Sequence, residues 1–130
     1  MKTKKFNESV AASSCRYGDV AKGIWGDWDL VWERSHDDYQ GDAHFLAYKD
    51  GTFTYYEWDY GSCSGCDTWE AACMSDAQVA EEMQRDAVTF DTPEAVREWA
   101  YMRKDAQMEV ELLRFLVDND IINPSPSFVI

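Results

Sequence analysis

The sequence predicts an α+β fold, a three-stranded antiparallel meander packed by two C-terminal helices. Three observations predict it. Residues 27–34 alternate apolar and acidic side chains with period two. Two aromatic-rich runs, 42–49 and 52–60, flank an Asp50-Gly51 dipeptide, which suits a two-residue type I′ hairpin turn. From Ser75 onward the apolar residues change to helical spacings of three and four.

Taken in order, residues 1–8 read as a frayed basic arm. The stretch from Ser9 to about Lys22 reads as one short helix or two, broken near Gly18. In the first strand Trp28, Leu30 and Trp32 point to one side, and Asp27, Asp29, Val31 and Glu33 to the other. With Asp50-Gly51 as the whole loop, Tyr48 opposes Phe53, Leu46 opposes Tyr55 and His44 opposes Glu57. On the other face Ala47 opposes Thr54, Phe45 opposes Tyr56 and Ala43 opposes Trp58. A slip of one residue would exchange the two faces. That second face suits a helical cover. The first mixes apolar side chains with His44, Glu57, Asp42 and Asp59.

Ser75 with Gln78 forms a capping-box signature for a helix over 76–87. Val88-Thr-Phe90 reads as a brief extended piece. Thr92-Pro93 is an N-cap followed by proline at the first helical position. The stripe Val96, Trp99, Arg103, Ala106, Val110, Leu113 and Val117 then predicts a single helix over 93–118, roughly 36–40 Å long. Residues 1–122 make one domain, and 123–130 an extended tail ending in apolar Phe128-Val-Ile130.

The chain of 130 residues carries a net charge of −13, yet it is 45% hydrophobic and 15% aromatic, which excludes a disordered acidic tail. The charge is uneven: five basic against two acidic residues over 1–23, two against eleven over 24–70, and five against twelve over 71–130. This balance disfavours direct nucleic-acid or anionic-membrane binding and favours a basic partner. Met1-Lys-Thr-Lys-Lys starts like a secretory leader. Asn7, Glu8 and Ser9 interrupt the apolar stretch that should follow, so the expectation is a cytoplasmic protein with reduced thiols.

Cys63-Ser-Gly-Cys66 is the sharpest local motif. The two cysteines and Cys73 could supply three ligands to zinc, the fourth coming from Cys15, His36 or His44. The first reading of this turn is packed structural thiols, ahead of the metal, with a reversible disulfide third. His44 opposite Glu57 has the form of a base and its orienting carboxylate, with no serine or cysteine nucleophile near it by spacing. His36-Asp37-Asp38 reads as a solvated acidic turn. Phosphate-loop, nucleophile-elbow and zinc-protease signatures are absent. What remains is a surface: Asp27, Asp29 and Glu33 along one strand, Asp42, Glu57 and Asp59 on the hairpin, and Tyr48, Phe53 and Tyr55 among them. Carboxylates spaced along strands can imitate nucleic-acid phosphates, and aromatics supply binding hot spots.

The segments 27–33 (Asp-Trp-Asp-Leu-Val-Trp-Glu), 38–41 (Asp-Tyr-Gln-Gly) and 60–67 (Tyr-Gly-Ser-Cys-Ser-Gly-Cys-Asp) resemble a group of small phage and prophage proteins. The resemblance spans about residues 24–118 and brings no catalytic residues with it. It implies a phage setting. The expectation is a non-enzymatic acidic protein, without cofactor, that inhibits a host nucleic-acid-targeting defence complex by binding a basic protein in the host cell. A small zinc-stabilised module is the alternative.

Overall fold

The computed structural model describes residues 4–8, 16–35, 41–60 and 75–121. Helix α1 (Arg16–Trp25) leads into strands β1 (Asp29–Ser35), β2 (Gly41–Lys49) and β3 (Thr52–Tyr60). Helix α2 (Asp76–Asp86), strand β4 (Val88–Phe90) and helices α3 (Pro93–Met102) and α4 (Ala106–Asp118) follow. The sheet is antiparallel in the order β1-β2-β3-β4. The expected three-stranded sheet with two helices is therefore corrected: among the described residues there are four strands and four α-helices. Val88–Phe90 pairs with residues 53–55 of β3.

The hairpin forms in the expected register. Tyr48 pairs with Phe53, Leu46 with Tyr55, His44 with Glu57 and Phe45 with Tyr56. Asp50 and Gly51 both take positive φ, 50° and 88°, as a type I′ turn requires.

Both sheet faces are covered, not one. Ala43, Phe45, Ala47, Tyr56 and Trp58 pack beneath α1 and α2 through Val20, Ala21, Trp25, Val79 and Met83. Leu46, Phe53 and Tyr55 pack beneath α3 and α4 through Val96, Ala100, Met108, Leu112, Phe115 and Leu116. Each face of the hairpin carries enough apolar surface to draw a helical pair.

Two local expectations are overturned, and one left open is decided. Residues 4–8 are not a frayed arm. Phe6 is fully buried against Phe45, Lys5 bridges Asp29, and the Phe6 and Asn7 amides donate to the carbonyls of Trp28 and Gly26. Of the one helix or two expected from Ser9 to about Lys22, the described part is one, α1, which runs through Gly18 without a break; residues 9–15 lie outside the described residues. The single helix over 93–118 is two, with its apolar stripe redistributed.

Helix α3 ends in a Schellman turn: the Asp105 amide donates to Ala100 O, and the Lys104 amide to Tyr101 O. Lys104 takes the left-handed φ of 59° that this turn needs. Asp105 caps α4 by accepting from the Met108 amide at 3.0 Å. The break shifts the helical phase, so Met108, Leu112, Phe115 and Leu116 turn inward while Val110 and Val117 face outward.

This turn is testable. Lys104→Gly removes the left-handed strain of a side-chain-bearing residue and should stabilise the protein by about 0.5–1 kcal/mol. Asp105→Ala should destabilise it by about 1–2 kcal/mol through the lost cap. Urea unfolding measures both. A destabilised Lys104→Gly would argue for a continuous helix.

Candidate functional site

The first candidate is the acidic row of β1. Its register with β2 shifts between Leu30 and Trp32. This bulge reverses the alternation, so Leu30 packs with the α1–α2 core and Val31 and Trp32 with the α3–α4 core. Asp29 then pairs with Tyr48 and Glu33 with Phe45, residues of opposite sheet faces, so the expected single row does not exist.

Each acid also meets a lysine of its own chain. Asp27 accepts from Lys49 Nζ at 2.8 Å, Asp29 from Lys5 Nζ at 2.8 Å, and Glu33 lies 3.6 Å from Lys4 Nζ. The hydrogen bond from Lys49 holds the Asp27 carboxyl below its ordinary range and raises the Lys49 ammonium in turn.

The second candidate lies beneath α3. The Tyr55 hydroxyl donates to Glu57 Oε1, accepts from Arg103 Nη2 at 3.2 Å and lies 2.8 Å from His44 Nδ1. A phenol has one proton, directed here at Glu57, so Nδ1 of His44 is the donor to the oxygen. All the hydrogen-bonding capacity of the hydroxyl is then in use. The Arg103 guanidinium stands 5.0 Å from the Tyr55 ring centre and 4.7 Å from that of Trp99, and 3.6 Å from Glu57 Oε1. Beside it, Arg34 covers the Trp32 ring at 5.2 Å and reaches Asp105 Oδ2 at 3.2 Å.

Burial, and then the hydrogen bond to Glu57, raise the Tyr55 phenol well above its usual range; burial raises Tyr56 as well. Tyr55 therefore stays protonated. The pair His44–Glu57 does come together, at 3.2 Å, and its shared neighbour is this phenol. The arrangement clamps α3 to the sheet. A cleft of about 330 Å³ opens beside it, lined by Tyr55, Tyr56, Glu57, Asp86, Val88, Trp99 and Arg103.

Of the expected surface aromatics, Phe53 and Tyr55 are buried and Tyr48 is half-buried against Phe53 and Phe115. They belong to the α3–α4 core. Asp42 and Asp59 are paired by register at the far end of the hairpin, and their side chains lie outside the described residues. Cys15, Cys63, Cys66, Cys73, His36 and the apolar terminus Phe128–Ile130 also lie outside them. Among the described residues no three His, Cys, Asp or Glu side chains group to hold a metal ion.

Arg34, Arg103 and Asp105 were not anticipated as a cluster. The available signal was Arg103 standing on the apolar stripe one helical turn after Trp99, a place for a charge only if something on the sheet receives it.

A third region is the outer side of α3 and α4. Tyr101 is 68% exposed, Met102 72% and Val110 52%. Two shallow depressions, about 290 and 430 Å³, meet at Tyr101 and Glu109; the first is otherwise lined by Glu94, Arg97 and Glu98.

Comparison with protein families, curated proteins and solved structures finds no match. No helix among the described residues is long and apolar enough to cross a membrane.

Tyr55→Phe should lower stability by about 1–2 kcal/mol in urea unfolding at neutral pH, because His44, Glu57 and Arg103 lose their common partner. The raised phenols also set an alkaline limit. The folded state holds these protons more tightly than the unfolded chain. Their contribution is complete below the ordinary tyrosine pKa of about 10 and is lost as pH rises past it. Tyr55→Phe should flatten that alkaline loss, and an unchanged slope would contradict the assignment.

Proposed function

We propose that this chain is a non-enzymatic binding protein that occupies a cationic partner, in the setting of a phage-encoded inhibitor of a host nucleic-acid-targeting defence complex in the cytoplasm. One observation carries the reading: the distribution of unneutralised carboxylate. Among the described residues of the N-terminal half, Lys4 and Lys5 are used on Glu33 and Asp29 of β1, Lys49 on Asp27, Lys22 on Asp19 and Arg34 on Asp105. Residues 75–121 hold twelve acids against five bases. Four of those bases are engaged: Arg85 with Glu82 and Asp86, Arg103 with Glu57, Arg114 with Glu111, and Arg97 in an interaction of its own.

Among the described residues the surplus therefore sits on α2, α3 and α4, which lie on both faces of the sheet. A partner evolved to bind nucleic acid presents the complementary charge, and a fixed set of carboxylates can compete with phosphates for it. The phage setting comes from the sequence resemblance. The hydroxyl of Tyr55, with all its hydrogen-bonding capacity used within the chain, has a structural part in holding α3 to the sheet.

The test is affinity purification from host lysate at low and high salt, followed by competition with duplex nucleic acid. The reading predicts a basic, nucleic-acid-binding protein retained at low salt, released at high salt and displaced by the duplex. A neutral partner, or binding indifferent to salt, would contradict it.

A further inference from the structure

Among the described residues, three of the most exposed large apolar side chains belong to α3 and α4: Tyr101, Met102 and Val110. On α3 the positions of Glu94, Glu98 and Tyr101 follow the four-then-three spacing of one helical face. Glu109, in the first turn of α4, borders the same depressions. None of these three glutamates is held in an ion pair by another described residue. Glu94 and Glu98 are like charges one turn apart, an arrangement that a bound cation relieves. Arg97 and Lys104 border the depressions too, and Arg97 already has an interaction of its own.

The chain shows within itself what such a surface holds. Arg103 lies over Tyr55 and Trp99 while reaching Glu57. Arg34 lies over Trp32 while reaching Asp105. In both places an aromatic face and a carboxylate together receive one guanidinium. The outer side of α3 offers the same pair of groups to solvent, with Met102 and Ala106 beside them as apolar surface for a methylene stem.

We infer that the outer face of α3 around Tyr101 docks an arginine-bearing segment of the basic partner, the guanidinium lying on the Tyr101 ring and its N–H groups reaching Glu94, Glu98 or Glu109. This rests on the proposed cationic partner and specifies its contact. Arginine is preferred to lysine because its planar fork stacks on the ring and meets a carboxylate in the same pose.

Fluorescence anisotropy at low salt, with a labelled arginine-rich peptide and its lysine counterpart of equal charge, tests it. The variants are Tyr101→Ala, Glu94→Gln with Glu98→Gln, and a charge-matched control, Glu81→Gln with Asp118→Asn. All the substituted side chains are exposed, and an unchanged thermal transition checks the fold. Wild type should bind the arginine peptide more tightly than the lysine one. Tyr101→Ala should weaken arginine binding about fivefold. The α3 double variant should weaken it several-fold, and the control should change it little. Full affinity in the Tyr101 and α3 variants, or an equal loss in the control, overturns this surface and leaves the cationic-partner reading standing. Failure of the wild type to bind either peptide overturns both.

Discussion

The two-residue turn at Asp50 and Gly51 sets the register of the whole sheet, and the register decides what every neighbouring element must cover. Both residues take positive φ, which matches the twist of the strands they join. Phe45, Tyr56 and Trp58 then share one face, and Leu46, Phe53 and Tyr55 the other. A slip of one residue would send each set to the opposite helical pair. With the register fixed, α1 and α2 close over the first face with Phe6 from the N-terminal segment, and α3 and α4 over the second.

The same geometry sorts the charges. Docking of Phe6 brings Lys4 and Lys5 alongside β1, where they meet Glu33 and Asp29, and Lys49 beside the turn meets Asp27. An acidic strand in the sequence becomes a locally balanced one in the fold. On the second face, burial of Tyr55 beneath α3 demands partners for its hydroxyl, and His44, Glu57 and Arg103 supply them. Among the described residues the surplus of acids then falls chiefly on the C-terminal helices, where residues 75–121 hold twelve acids against five bases.

The hairpin was legible in the sequence because its decisive signal is local: an Asp-Gly pair between two alternating runs. The capping box at Ser75 and Gln78 and the Thr92-Pro93 helix start were legible for the same reason. The bulge in β1 was not. Leu30, Val31 and Trp32 are consecutive apolar residues, and nothing in that run says which of them turns over. The break between α3 and α4 was hidden because Lys104 does the work usually given to glycine, and apolar residues continue at helical spacings across it. The pairing of lysines with the β1 acids depends on where a distant segment docks, which local pattern does not encode. Tyr48, Phe53 and Tyr55 looked like surface aromatics because the α3–α4 cover was assigned to the other face.

The most direct test of the central claim is residue-resolved NMR shift mapping of the intact chain titrated with a basic, arginine-bearing protein. The account predicts that amide shifts concentrate at Glu94–Tyr101 of α3 and the start of α4, and that Asp27–Glu33 stays unperturbed with its lysine partners in place. Shifts centred on Asp27–Glu33, with α3 silent, would contradict it.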